Sequence, residues 1–333
     1  MAERVIFHVD ANSAFLSWSA AYRVKVLGEK EDLRDVPSVV AGDKSSRHSI
    51  ILAKSTPAKK YGIQTGEPLF KAIEKCPHLK VVPPDYPLYV EASRHFVAML
   101  RQFSPQVQQY SIDEAWVDMT GTERLFGSPR LAAEQMRQRI WDELGFTVNV
   151  GISSNKLLAK MAGDLEKPNK VNTLYPEEME EKMWVLPTRD LFLVGAATEK
   201  KLKMLGIYTI GDLAKAELQL LKKRLGKHGE TIWHYANGRN AELVTPEPEE
   251  NKGYGNSTTT AEDVVTYNHA HQVILSLCET VAMRMRQDNK CGRCVSVHLR
   301  TNEFQHFSHQ MLLHGATNIT TELFDAACRV FDE

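Results

Sequence analysis

The chain opens with an apolar run, Val5-Ile6-Phe7-His8-Val9-Asp10, short enough for a buried strand and closed by an acid. Asn12 or Ser13 is then placed to cap a helix from about Ala14 to Leu27, with Gly28 as its stop. Pro37 to Ala41 reads as a strand, Gly42-Asp43-Lys44-Ser45-Ser46-Arg47 as a turn, and Ser49 to Lys54 as the returning strand. A short helix is predicted over Pro57–Tyr61, with Thr56 as its N-cap and Pro57 in its first turn. Helical spacing runs from Tyr89 to Phe103. Val107–Ser111 and Ala115–Thr120 are strand-like and flank Asp113-Glu114. Ser128-Pro129 caps a long helix reaching about Leu144, Val148 to Ile152 predicts another strand, and Asn155 to Asp164 another helix.

Beyond Lys170 the pattern changes. Residues 177–240 carry no convincing strand and read as short helices punctuated by glycines, among them Gly195, Gly206, Gly226 and Gly229. The Pro/Glu-rich stretch from Thr245 to Glu250 predicts an exposed linker. The last part restarts with a Thr-rich strand, Ser257 to Thr260, and a helix from Ala270 to Asp288. Strands Val295 to Arg300 and Phe307 to Leu313 follow, then a helix from Thr321 to Phe331. That order, β-α-β-β-α, is one strand short of a split β-α-β unit, so a truncated chain is expected. No repeat with a period of 20–50 residues is present, which excludes a solenoid.

At 333 residues the chain has room for two to four domains of roughly 100–200 residues each. It is 43% hydrophobic and 25% charged, an ordinary globular mix. No stretch approaches the ~18 unbroken apolar residues of a membrane span, and the start carries no cleavable signal. Five cysteines are too few and too uneven for a secreted disulfide framework, so a cytoplasmic protein without membrane partners is expected. Lys and Arg number 41 against 42 Asp and Glu, a net charge of −1, so any nucleic-acid binding must rest on local charge. Residues 195–240 supply such a charge, with nine Lys/Arg against four Asp/Glu, whereas residues 253–333 hold six against nine.

Acids that end apolar strands carry the candidate chemistry. Asp10 closes the first strand, and Asp113-Glu114 interrupts a strand pair; a carboxylate there needs positive compensation. Three such acids on one sheet make a hard oxygen site suited to Mg²⁺. Two ions about 3.5–4 Å apart would activate an attacking hydroxyl and stabilise a leaving oxygen in phosphoryl transfer. On spacing alone a plainer account stands beside this one: Asp10 caps a helix and Asp113-Glu114 lies in a solvated hairpin turn. The single Cys291-Gly-Arg-Cys294 lacks a second ligand pair, although His298, His306 and His309 follow. It reads as a helix-to-strand turn rather than zinc.

The residues around those acids resemble a family. His8-Val-Asp-Ala-Asn-Ser-Ala-Phe15, Tyr110-Ser-Ile-Asp-Glu-Ala-Trp-Val-Asp118, Gly151-Ile-Ser-Ser-Asn-Lys-Leu-Leu-Ala-Lys160 and Lys167-Pro-Asn169 occur in the order found in the Y-family (translesion) DNA polymerases, of the bacterial polymerase IV and V type. The resemblance spans almost the whole chain. It implies an α+β right-hand polymerase with a ferredoxin-like palm (1–22 and 76–170), small fingers (23–75) and an all-α helix-hairpin-helix thumb (171–240). A linker (241–252) and a β-α-β-β-α little finger (253–333) lacking its last strand complete it. Asp10, Asp113 and Glu114 would be the catalytic metal ligands for two Mg²⁺ ions, with the Ala11 carbonyl a further oxygen. Ala11, Asn12, Ser13, Ala14 and Phe15 would line the nucleotide site, Phe15 as the steric gate against a ribose 2′-OH.

The same resemblance places Thr56, Lys59 and Lys167 on the triphosphate, Thr56 and Lys59 standing where the family usually has Tyr and Arg. Lysine keeps the charge there but loses the bidentate fork. Ile50 and Leu52 would roof the nascent base pair; two branched aliphatics suggest a tight roof and a narrow lesion range. Gly195, Lys200, Lys201, Lys227 and Gly229 of the thumb, and Arg293 and Arg300 on an open sheet face of the little finger, would meet DNA phosphates. Leu193 stands where the first glycine of the first hairpin would be. Implied partners are primer–template DNA, a dNTP, and a sliding clamp held through a peptide beyond this chain's last residue; a monomer is expected. A nucleotidyl cyclase on a similar acid-bearing sheet has no use for a basic helical thumb. A non-catalytic DNA-binding relative would not need all three acids.

Overall fold

The computed structural model describes residues 4–43, 49–247 and 250–333, so Lys44 to Arg47 of the expected turn lie outside the described residues. The chain divides into two compact units, residues 1–248 and 249–333.

In the first unit, β1 (Ile6–Ala11) leads into α1 (Ala14–Lys25), followed by β2 (Ser38–Ala41) and β3 (Ile51–Lys54). Then come α2 (Thr56–Lys60), α3 (Leu69–Lys75), β4 (Lys80–Val82) and α4 (Tyr86–Leu100). The hairpin of β5 (Val107–Gln109) and β6 (Glu114–Asp118) precedes α5 (Glu123–Phe126) and α6 (Pro129–Arg139), whose end continues as a wider π turn over Ile140–Leu144. Next are β7 (Val148–Ser153), α7 (Lys156–Leu165) and β8 (Val171–Thr173). Five short helices finish the unit: α8 (Met179–Lys182), α9 (Ala196–Lys203), α10 (Ile210–Lys215), α11 (Leu218–Leu225) and α12 (Lys227–Ala236).

The central sheet has the order β5-β6-β1-β7-β8, antiparallel except for the β7–β8 pair. Strand alternation sorts its residues by face. Phe7, Val9 and Ala11 of β1, Ala115 and Val117 of β6, and Val148, Val150 and Ile152 of β7 enter the main core with residues of α1, α4 and α6. The opposite face carries Ile6 and Trp116, covered by Ala159 of α7 and by Val244. Gly151 makes that cover close: a Cβ there would lie 2.0 Å from the Ala159 carbonyl oxygen and 2.3 Å from the Gly163 nitrogen. A second sheet, β3-β2-β4, closes a small core of its own around Val39, Ile51, Ile63 and Leu69. The residues from α7 to α12 share a third core.

Two local expectations are corrected. The cap of α2 is Ser55, whose buried Oγ accepts from the Ala58 N–H at 3.1 Å and donates to the Val36 carbonyl at 2.7 Å, so Thr56 is the first helical residue instead. Ser13 stands at the cap position of α1 with φ 50°, and no side chain caps that helix. Of the stretch expected to be exposed, Thr245, Pro246, Glu247 and Glu250 are exposed; just before it Val244 is 7% exposed and Lys156 pairs with Glu242 at 3.0 Å, and the Thr245 N–H donates to Gln108.

The second unit holds α13 (Tyr267–Gln287), the hairpin β9 (Gly292–Arg300) and β10 (His306–Thr317), and α14 (Thr320–Asp332). Ala282, Met285 and Leu323 form its core, with Val295 and Leu313 packed against them. The expected strand at Ser257–Thr260 is not one; its sheet has two strands. Ser257, Thr258 and Thr259 are exposed, so the threonines favour an extended backbone but bring no apolar face to bury.

Candidate active site

The register of the central sheet assembles the site. Asp10 stands directly opposite Glu114 on one side and Asn149 on the other. Odd and even positions face opposite ways, so all three side chains share the α7 face, away from the core that takes Val9 and Ala11. Asp113 lies in the turn just before β6, and its carbonyl accepts the Ala11 N–H at 3.0 Å. Asp10 and the adjacent pair Asp113-Glu114, about a hundred residues further on, are therefore brought together at the middle of the sheet.

They meet through their backbones more closely than through their carboxylates. Among the described residues, no three His, Cys, Asp or Glu side chains converge tightly enough to hold a metal ion as they stand. Each carboxylate has turned to a nearby donor instead. Asp10 accepts from Lys167, which also pairs with Asp164 at 2.8 Å. Glu114 accepts from Lys160 and lies 3.0 Å from Nε2 of the buried His8. Asp113 accepts from Ser111 Oγ at 2.6 Å. Burial pushes the Asp113 carboxyl above its ordinary range; Ser111 opposes this, and the charges of Asp10 and Glu114 add to it. Burial also disfavours ionised Glu114, but His8 and Lys160 outweigh it and hold that carboxyl down to about 2. His8 itself is driven below the usual histidine value by burial, against the pull of Glu114. Burial works against the Lys167 ammonium, yet Asp10 and Asp164 raise it above the ordinary lysine value. The donors are hard oxygens under mutual repulsion, now compensated by ammonium groups. Such a set fits a divalent cation.

The neighbouring residues divide by role. Asn12 is occupied within the protein: its Nδ2 donates to Asn149 and its Oδ1 accepts the Asn169 N–H at 2.9 Å. Ala11 and Ala14 are buried. The Phe15 ring, partly buried at the rim of the core, stacks on Tyr89 with centroids 4.6 Å apart and planes at 14°. Lys59 and Thr56 are exposed on the single-turn helix α2. Ile50 is 46% exposed, whereas Leu52 packs against the main core.

In the helical segment Lys200, Lys201, Lys227 and Gly195 are exposed, and Thr198 of α9 touches His228 of α12 at 3.4 Å, bringing the two helix starts together. Gly229 is different: it is buried inside α12, where a Cβ would lie 2.5 Å from the Leu221 carbonyl oxygen. The missing side chain there lets α11 and α12 pack closely. Leu193 takes a left-handed φ of 69° where a glycine was expected. Arg293 lies where the β9–β10 register shifts, between the Cys294–Leu312 and Gly292–Thr317 pairs, and donates to the Leu313 carbonyl; Arg300 is in the regular part of the hairpin, opposite His306, and lies over Phe304.

Sequence reading gave no role to Lys160, His8 or Asn149. For Lys160 a signal was present: Lys156, Lys160 and Asp164 recur every four residues and so lie along one face of α7. Lys160 also sits 5.5 Å from the Tyr110 ring and 5.3 Å from the Phe192 ring, a cationic contact between the sheet and the helical segment.

A mostly antiparallel sheet with acids at its strand ends, a small second sheet and a basic set of short helices are the parts expected of a right-hand polymerase. A model of the impB/mucB/samB family matches residues 9–164, and its C-terminal domain model matches residues 251–333. A model described as the DNA polymerase-iota thumb domain matches residues 189–240. The DNA polymerase IV of Clostridium acetobutylicum is 46% identical over 330 residues, covering 99% of this chain and 83% of that one. The DNA polymerase IV 2 of Bacillus subtilis is 36% identical over 339 residues, covering 99% and 81%. A solved Y-family DNA polymerase chimera, 22% identical, superposes with a TM-score of 0.82 over 98% of this chain and 93% of its own, a likeness of fold. The chain belongs to the impB/mucB/samB family of Y-family DNA polymerases.

Proposed function

We propose that this chain is a template-directed DNA polymerase of the translesion type, joining a deoxynucleotide to a primer 3′ hydroxyl and releasing pyrophosphate. The observation that carries the reading is the pairing of Asp10 with Glu114 across β1 and β6, with Asp113 tied to Ala11 beside them. Asp10, Asp113, Glu114 and the Ala11 carbonyl would hold two Mg²⁺ ions. Bound there, they would lower the pKa of the attacking hydroxyl and stabilise charge on the leaving oxygen.

The chain's own residues prepare that chemistry. Lys167 leaves Asp10 for the incoming phosphates, which frees the Asp10 oxygens for a cation. The N–H groups of Ser13, Ala14 and Phe15, at a helix start that no side chain caps, offer donors to the same phosphates. Phe15, braced on Tyr89, bars a 2′-hydroxyl. Lys59 adds charge from the fingers (23–75), while Ile50 and Leu52 roof the base pair. The thumb (171–240) grips the duplex through Lys200, Lys201 and Lys227. Residues 253–333 serve as the little finger, with Arg300 toward phosphate, and a sliding clamp completes the assembly around a cytoplasmic monomer.

Primer extension with Mg²⁺ tests the whole reading. The wild type is expected to extend, and Asp113→Ala to lose at least about 10³-fold in rate, the scale of a lost metal-centred charge stabilisation. Equal extension by both proteins would end the metal-site account.

A further inference from the structure

Asn149 is fully buried near the start of β7, a position where a polar side chain needs every hydrogen bond satisfied. It has them. Its Nδ2 donates to the Gly163 carbonyl at 2.9 Å and to the Glu166 carbonyl at 2.6 Å. Its Oδ1 accepts from Asn12 Nδ2 at 3.1 Å and from the Lys170 N–H at 3.3 Å. Two carbonyls on one side and two donors on the other fix the amide's orientation.

These four bonds join separate pieces of chain. Glu166 and Lys170 are the two ends of the short loop that carries Lys167, and Asn149 holds both. Asn12 takes the same loop from the other side, through the Asn169 N–H, and Arg137 holds the Asn169 side chain at 2.8 Å. Asn149 is also the cross-strand neighbour of Asp10, the residue that Lys167 reaches. One buried amide thus sets the distance between the lysine's loop and the acid.

We propose that Asn149 is a positioning residue for nucleotide binding: it holds the 166–170 loop so that the Lys167 ammonium stands beside Asp10, where the triphosphate arrives. The proposal rests on the polymerase reading given above. Asn149 touches no reacting atom and acts through Lys167. A shorter side chain takes one donor from the Gly163 carbonyl, leaves the Glu166 carbonyl to Asn172 Nδ2 at 3.0 Å, and lets the loop drift. The loss then falls on dNTP binding, not on the chemical step.

Single-nucleotide primer extension over a range of dNTP concentrations reads this directly. Asn149→Ala is expected to raise KM for the dNTP roughly ten-fold with kcat within about two-fold, the pattern of a lost supporting partner. In a Lys167→Met background the same substitution should change KM by less than about two-fold, because the group it positions is gone. Full additivity of the two substitutions overturns the proposal, as does a fall in kcat at constant KM. Should Asn149→Ala fail to fold, Asn12→Ala removes the other arm of the clamp at a half-buried site and must give the same KM signature; an unchanged KM there overturns it too. A wild type that extends no primer removes the polymerase reading and this proposal together, whereas an active wild type matched in KM by Asn149→Ala removes the proposal alone.

Discussion

Leu193 spends about half its surface in solvent and holds a backbone conformation that suits glycine. The left-handed region costs an L-residue roughly 1–2 kcal/mol, partly offset here because glycine gives up more freedom on folding. Leu193→Gly is therefore expected to stabilise the first unit by about 0.5–1 kcal/mol, read as a rise in the thermal midpoint. A lower midpoint would mean that the leucine side chain contributes more by packing than its backbone loses. Ser55 and Thr56 carry a similar lesson. Both can cap a helix on paper, and only the fold decides, since Ser55 is also the residue whose hydroxyl reaches Val36 and whose oxygen takes the Ser38 N–H.

Among the elements, α7 is the one whose placement decides the site. It carries Lys156, Lys160 and Asp164, and it lies on the sheet only because position 151 has no side chain. Gly151→Ala would drive a methyl group into the Ala159 carbonyl, and we expect a loss of about 3 kcal/mol or more in denaturant unfolding. Lys160 would be displaced from Glu114 at the same time. An unfolding curve matching that of the wild type would show that α7 can lift without cost. Much of this was legible beforehand. The apolar runs at Ile6–Val9, Ala115–Val117 and Val148–Ile152 announced three strands; the acids beside the first two left a site and a solvated turn both open, and only the residues flanking them pointed to a site. Three-residue strands such as β4 and β8 were not legible, because so short a run carries no period. The rotation of Asp10 and Glu114 toward lysines was hidden for another reason: it depends on which ammonium groups the fold brings near, and sequence spacing does not fix that. Asn149 was hidden in an otherwise apolar strand, where a lone polar residue has no pattern to join.

For the molecule as a whole, a net charge of −1 conceals a strong internal division. The basic residues gather in 195–240 with a surplus of five, nine against four, while 253–333 is acidic by three, six against nine. DNA affinity should then fall steeply with salt chiefly through the helical segment. Replacing Lys200 and Lys201 together by Glu is expected to flatten the log–log salt dependence of duplex binding by about 2 units, near one per lost phosphate contact. An unchanged slope would place those lysines off the DNA. The cross-strand row Glu114–Asp10–Asn149 has one more consequence, for how this protein can change length. A point substitution in β1 alters one side chain, but a single-codon insertion or deletion there exchanges the two faces of the strand beyond it. Asp10 would be delivered among Phe96, Val117 and Val150, and Val9 or Ala11 would take its place beside Lys167. Insertions between strands can leave that order intact; within the six residues of β1 even the smallest one removes the carboxylate and poisons the interior in the same stroke.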